Sequence, residues 1–181
     1  MSRSIEIAKL RLDGGTQPRA DLNRETVDEY ADAMKGGQEF PPVVVFNDGS
    51  AHWLADGFHR VNAAKLAGRA MIDADIRQGT RRDAVLFACG ANHGHGLRRT
   101  NADKRRAVET LLRDEEWARW SDREIARRCA VSNNFVTDLR AICHPMTDTP
   151  APARLVQRNG TTDAQNTANI GSAGYHGDPD R

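Results

Sequence analysis

Residues 5 to 12, IEIAKLRL, carry apolar side chains at alternate positions, the period of a half-buried strand, and Asp13, Gly14 and Gly15 end it. From Asn23 the period lengthens. Val27, Tyr30, Ala31 and Met34 fall at i, i+3, i+4 and i+7, which predicts a helix closed by Gly36 and Gly37. Val43 to Phe46 and Ala51 to Ala55 flank Asn47, Asp48, Gly49 and Ser50, a hairpin signature because Asp-Gly suits the positive φ of a tight turn. Phe58 to Ala67 reads as a helix stopped at Gly68, Met71 to Ile76 as another strand, and Thr80 to about Gly90 as another helix.

Residues 91 to 100, ANHGHGLRRT, interrupt the pattern with two glycines. Thr100 and Asp103 then have capping-box spacing and open a helix from Ala102 to about Glu115, with Val108, Leu111 and Leu112 on its apolar side. After Pro145 large apolar residues are scarce, so burial cannot offset the entropy of ordering the chain. The expected fold class is α+β: a small mixed α/β domain over residues 1–97, an all-helical domain over 98–144 and a disordered tail over 145–181.

Residues 121 to 140, SDREIARRCAVSNNFVTDLR, hold the most specific pattern. Ser121 with Glu124 has capping-box spacing, and Ile125, Ala126 and Cys129 face inward on the first of two helices. Ala130 and Val131 make the turn, and Ser132 caps a second helix. Val136 and Leu139 of that second helix pack on Ala126, whose small side chain permits the steep crossing of a helix-turn-helix. In a DNA reader of this kind the second helix enters the major groove. Asn133, Asn134 and Thr137, behind the Ser132 cap, would then meet base edges, while Arg127, Arg128 and Arg140 would serve phosphates. The bland alternative is an αα-hairpin that merely packs.

A second candidate lies at Asp56-Gly57-Phe58-His59-Arg60. A strand running straight into a helix brings backbone N–H groups and the positive helix end to one point, which suits a phosphate. Gly57 permits close approach, Arg60 offers a two-pronged donor, and His59 a donor that is charged or neutral. The same residues also read as a plain capped helix whose Arg60 pairs with a carboxylate. Asn92 is a candidate for positioning a phosphate, against the ordinary role of a turn amide. His93 and His95, at i and i+2, lack a third ligand, and no metal site is assigned. Asp56, Asp73 and Asp75 could gather Mg²⁺ or be solvated strand residues, and Trp117 and Trp120 read as packing.

Charge limits how DNA could be held. There are 26 Lys plus Arg and 25 Asp plus Glu in 181 residues, a net charge of +1, so attraction must come from a local patch. Residues 98 to 140 supply a modest one, eleven basic (ten Arg and Lys104) against eight acidic. With 39% hydrophobic residues the chain is neither fibrous nor wholly disordered. No apolar run approaches the roughly 20 residues of a membrane helix, and the start lacks a signal-peptide core, so the expected location is the cytoplasm. Cys89, Cys129 and Cys143 have no CxxC spacing and signal neither a disulfide framework nor a zinc finger.

Taken together and in order, Gln17-Pro18-Arg19, the Val27 helix, PPVVVF, LADGFHRVNAAKLAG, NHGHGLRRTNADK and the helix-turn-helix resemble the ParB/sulfiredoxin superfamily. The resemblance is to a ParB-like amino-terminal domain joined to a ParB-type helix-turn-helix, and it covers residues 4 to about 142. It implies a nucleotide, CTP or ATP with Mg²⁺, at a phosphate turn formed by Gly57, His59 and Arg60, with Arg19, Arg98 and Arg99 facing phosphates or a partner subunit. Phe58 stands where sulfiredoxins need their cysteine, which removes the nucleophile for sulfinic acid reduction. Phe58 and His59 also stand where CTP-hydrolysing relatives have Glu and Arg, which leaves base and hydrolysis, including weak NTPase activity, open. The function expected is a nucleotide-regulated DNA-binding protein of plasmid, phage or chromosome partition or of transcriptional control. A homodimer on double-stranded DNA is expected, since a lone helix-turn-helix gains useful affinity from a second copy. The alternative class is a ParB-fold enzyme, a nuclease or an NTP-dependent phosphotransferase.

Overall fold

The computed structural model describes residues 2–17, 22–91 and 98–143, and the backbone of 154–158 and 161–165. The predicted first strand is two. Strand β1 (Ser2–Glu6) gives way to a 3-10 turn (Ile7–Lys9) and then to the short β2 (Leu10–Arg11). The chain then forms α1 (Arg24–Lys35), β3 (Val43–Asn47), β4 (His52–Asp56), α2 (Phe58–Leu66), β5 (Met71–Gln78) and α3 (Arg81–Gly90). Helices α4 (Asn101–Leu112), α5 (Asp122–Cys129) and α6 (Asn133–Cys143) follow, with a 3-10 turn at Trp117–Arg119 before α5. Strands β6 (Arg154–Arg158) and β7 (Thr161–Gln165) pair antiparallel in a stretch where the sequence pattern predicts no element. Arg19, Asn92, His93 and His95 lie outside the described residues.

Five strands make one sheet in the order β1-β5-β3-β4-β2. The β3–β4 hairpin is antiparallel as Asp48-Gly49 predicts, and the Asp48 carboxylate accepts hydrogen bonds from Ser50 N–H, Ala51 N–H and the Trp53 indole N–H. Strand β5 runs parallel to β3 and antiparallel to β1, while β2 runs parallel to β4. The two outer strands therefore both come from the first eleven residues. Four residue steps separate Glu6 from Leu10 and span at most about 14 Å, whereas four flat strand spacings need about 19 Å. The sheet must coil for its edges to be bridged. Ile5, Ile7 and Leu10 on that bridge all enter one core with α1 and α2, against Val43, Val45, Leu54, Val61 and Ala74. This placement is why the strand breaks at Ile7: the chain has to leave one edge and reach the other.

Helix α3 covers the opposite face, where Phe46, Ala55 and Ala84 are buried with Phe87 and Trp53 against them. The same helix turns Val85 and Cys89 toward a second core made with Val108, Leu111, Leu112, Ile125, Cys129, Val136 and Leu139. A capping box starts α3, with Thr80 and Asp83 satisfying each other's backbone N–H, and another starts α4 at Thr100 and Asp103. The predicted Ser121–Glu124 box is only half formed. Ser121 Oγ accepts from Glu124 N–H, but the Glu124 carboxylate turns away to Arg127 and Arg128, stronger partners than a backbone amide.

Candidate functional site

Strand β4 delivers Asp56 to the start of α2, where Gly57 is the N-cap residue at φ 99° and no side chain caps the first turn. A Cβ at Gly57 would lie 2.5 Å from Val43 Cγ1, so glycine is required both by the left-handed backbone and by the close pass of β3. The first N–H groups of α2 thus emerge beside a bare backbone, an arrangement that suits an anion. The side chains around it are already engaged. Arg60 donates to Asp56 Oδ2 at 2.8 Å, to the Pro42 carbonyl at 2.9 Å and to the Pro41 carbonyl at 2.5 Å. With side-chain exposures of 15% and 18%, the Arg60–Asp56 pair clamps α2 to the loop before β3. His59 is buried, and its Nε2 accepts from Asn23 N–H at 3.1 Å, while Asn23 Oδ1 caps α1 through Thr26 N–H. The imidazole therefore ties the start of α2 to the start of α1.

Arg99 reaches the helical layer, donating to the Cys129 carbonyl at 2.8 Å, and Arg98 is exposed beside it. A cavity of about 320 Å³ lies on the other side of Arg60, between the end of α1, α2 and β5. Arg60, Arg69, Glu39 and Asp73 supply its charges, and neither Gly57 nor His59 lines it. Asp56 and Asp75 are paired with Arg60 and Arg77, and the described residues contain no group of three or more acidic, His or Cys side chains fit to hold a metal ion.

The α5–α6 pair presents a different surface. Ala130 closes α5 in the left-handed region at φ 51°, and Val131 N–H donates to the Ala126 carbonyl, which turns the chain tightly into Ser132. Ser132 Oγ accepts from Phe135 N–H at 3.3 Å, and Asn133 and Asn134 stand exposed at the opening of α6. Arg140 is not on that surface. Its Nε donates to Asp122 Oδ1 at 2.6 Å, and its two terminal nitrogens reach the carbonyls of Ala118 and Trp120. Thr137 is exposed, yet its hydroxyl donates to Asp122 Oδ2 at 2.8 Å. Arg127 and Arg128 both pair with Glu124, at 2.6 and 2.8 Å, and Arg128 also lies over the Trp120 ring. The sequence pattern gives Glu124 only a capping role and gives Asp122 none. Glu124 was legible, since it stands three and four residues before its arginines. Asp122 and Arg140, eighteen residues apart, carry no local signal.

A coiled mixed sheet with two helices on one face, and a third leading into a helical layer, defines an α+β protein with a glycine-started helix at one end and an exposed helix pair at the other. The chain belongs to the ParB N-terminal domain family, whose profile matches residues 2–93. It is 29% identical over 130 residues to the transcriptional regulator NovG of Streptomyces niveus, covering 71% of this chain and 40% of that one. It is 31% identical over 117 residues to a possible regulatory protein of the streptomycin biosynthesis operon of Streptomyces griseus, covering 65% and 32%. The chain thus spans less than half the length of these relatives. In fold it is similar to the C-terminally truncated chromosome-partitioning protein ParB of Caulobacter crescentus complexed to the centromeric parS site, with a TM-score of 0.53, 17% identity, and 77% and 71% of the two chains covered.

Proposed function

We propose that the protein is a DNA-binding regulator of the ParB type, acting in transcriptional control or partition, in which α5 and α6 form the DNA-reading helix-turn-helix. The observation that carries this reading is the exposed pair Asn133 and Asn134 at the start of a capped helix, set behind a left-handed turn at Ala130. The relatives named as regulators support control of transcription over partition. The ParB of similar fold was crystallised on parS, which supports DNA as the partner. Asn133 and Asn134 read base edges, and Arg127 and Arg128 serve phosphates once they leave Glu124. The structural engagement of Arg140 with Asp122 assigns it to support. Two copies hold two half-sites.

In the same proposal a nucleotide, CTP or ATP with Mg²⁺, places a phosphate on the backbone N–H groups that open α2. The bare Gly57 cap fits that group. Arg60 and His59 position the turn, and Arg19, Asn92, Arg98 and Arg99 remain candidates for the rest of the ligand. In this reading the nucleotide unit ends at about residue 97 and the DNA unit follows it; α3, which contributes to the cores on both sides, supports a link between them.

The test is selection of duplexes from a random DNA library by the full chain, followed by affinity measurements on the selected site between 50 and 200 mM salt. N134A should abolish selection. E124Q should leave selection intact and steepen the dependence of log affinity on log salt by up to about 2, because each freed arginine adds roughly 0.9. Failure of the wild-type chain to enrich any duplex overturns the DNA reading. Titration calorimetry with CTP and with ATP, each with Mg²⁺, tests the nucleotide separately, and absence of heat with both removes it.

A further inference from the structure

Two thiols that the proposed function does not use lie in the core between α3 and α5. Cys89 and Cys129 are buried, at 3% and 0% exposure, in one apolar cluster. The backbones that carry them touch. A Cβ on Gly90, the neighbour of Cys89, would lie 2.5 Å from the carbonyl oxygen of Arg128, the neighbour of Cys129. Only glycine lets the end of α3 approach the end of α5 so closely. The two thiols thus share one buried cluster at a point where their helices touch. Arg99 donates to the Cys129 carbonyl and holds its positive charge beside both sulfurs.

We infer that Cys89 and Cys129 form a redox modification site, a dithiol that hydroperoxides convert to a disulfide joining α3 to α5. A disulfide needs α-carbons about 4.4–6.8 Å apart, and the backbone contact between Gly90 and Arg128 brings the ends of α3 and α5 that carry the two cysteines together. The Cys129 side chain beside it holds the Cys89 thiol below its ordinary value, against the opposing effect of burial, and the Arg99 charge assists. Cys129 is pushed the other way, by Cys89 and by burial. Cys89 is therefore the attacking sulfur. Its thiolate takes one oxygen from the peroxide, forming a sulfenic acid and releasing hydroxide or water. The Cys129 sulfur then displaces that oxygen as water after losing its proton, so two thiols and one hydrogen peroxide give one disulfide and two waters. Because both sulfurs are buried, peroxide reaches them in local openings of the α3–α5 contact. Formation of the bond then fixes the sheet layer to the helix pair, and a thiol reductant undoes it.

The experiment treats the folded full chain with hydrogen peroxide and maps its tryptic peptides without reduction. Cleavage after arginine puts the three cysteines on separate peptides, 83–98, 129–140 and 141–154. The expected result is that 83–98 and 129–140 run as one species, about 2 Da lighter than their sum and separated by dithiothreitol. C143S should keep this species, and C89S and C129S should lose it. The oxidised chain should also melt at a higher temperature than the reduced chain, reversibly. The inference is overturned if Cys143 takes part in the disulfides formed, if Cys89 proceeds to sulfinic acid with Cys129 still reduced, or if both stay reduced while the chain is folded. Wild type and C143S decide the matter even where C89S or C129S fails to fold.

Discussion

The left-handed turns at Gly57 and Gly49 look alike in sequence, each following an aspartate, but they bear different loads. At Gly57 the missing Cβ makes room for Val43, while at Gly49, with φ 92°, nothing lies within 4 Å. An alanine at either position adopts a left-handed backbone at a cost of about 1–2 kcal/mol. At Gly57 the overlap with β3 adds about 1–3 kcal/mol more. G57A should therefore melt well below G49A, and urea titration of the two variants checks the difference. Residue-scale chemistry was partly legible beforehand. Glycine after aspartate at the end of a strand announced the turn, and the alternative reading of Arg60 as the partner of a carboxylate matches its pairing with Asp56. The Pro41 and Pro42 carbonyls could not be anticipated, because Arg60 reaches them across nineteen and eighteen residues. The link from His59 to Asn23, thirty-six residues apart, was equally out of reach.

At the scale of elements, α6 is held by one carboxylate. Asp122 opens α5, is almost fully buried, and receives both Thr137 and Arg140 from α6. Arg140 extends the clamp to the 3-10 turn before α5 through the Ala118 and Trp120 carbonyls. Removal of the acid strands a guanidinium that is only 13% exposed. D122A should cost about 3 kcal/mol, since an uncompensated buried charge remains. D122N should cost less, because the amide oxygen can still accept from Arg140. Chemical denaturation of the two variants reads the difference. Helix positions were legible from periodicity and caps: α1, α2, α3, α4, α5 and α6 all lie within a few residues of their predicted spans. What failed was the first strand. Alternation of apolar residues carries through Ile7, but alternation cannot reveal that β1 and β2 pair with different strands at opposite edges of the sheet.

The whole molecule rests on cross-links between its two cores, and several are charged. Arg82 of α3 donates to Asp114 and Glu116 and lies 4.2 Å from the centre of the Trp117 ring. The hydrogen bond from Arg82 holds the Asp114 carboxyl below the usual aspartate range. Burial pushes Glu124 up, but hydrogen bonds from Arg127 and Arg128 outweigh it and bring it below its ordinary 4.5. Both groups bind protons more weakly folded than unfolded, so their contribution is complete above the ordinary carboxylate values and disappears as pH falls through the folded ones. Thermal midpoints should hold steady down to about pH 4.5 and then fall, and R82Q should flatten part of that fall by removing the charge that depresses Asp114. A flat profile in wild type would show that these pairs contribute nothing to stability. The sheet itself imposes an order on synthesis. Residues 2–11 leave the ribosome before their partners, so β2 waits for residues 52–56 and β1 for residues 71–78. Within the sheet, the strands made earliest are therefore paired late. Until then Ile5, Ile7 and Leu10 are exposed to solvent and to chaperones, and the coiled sheet is complete only once β5 has been made.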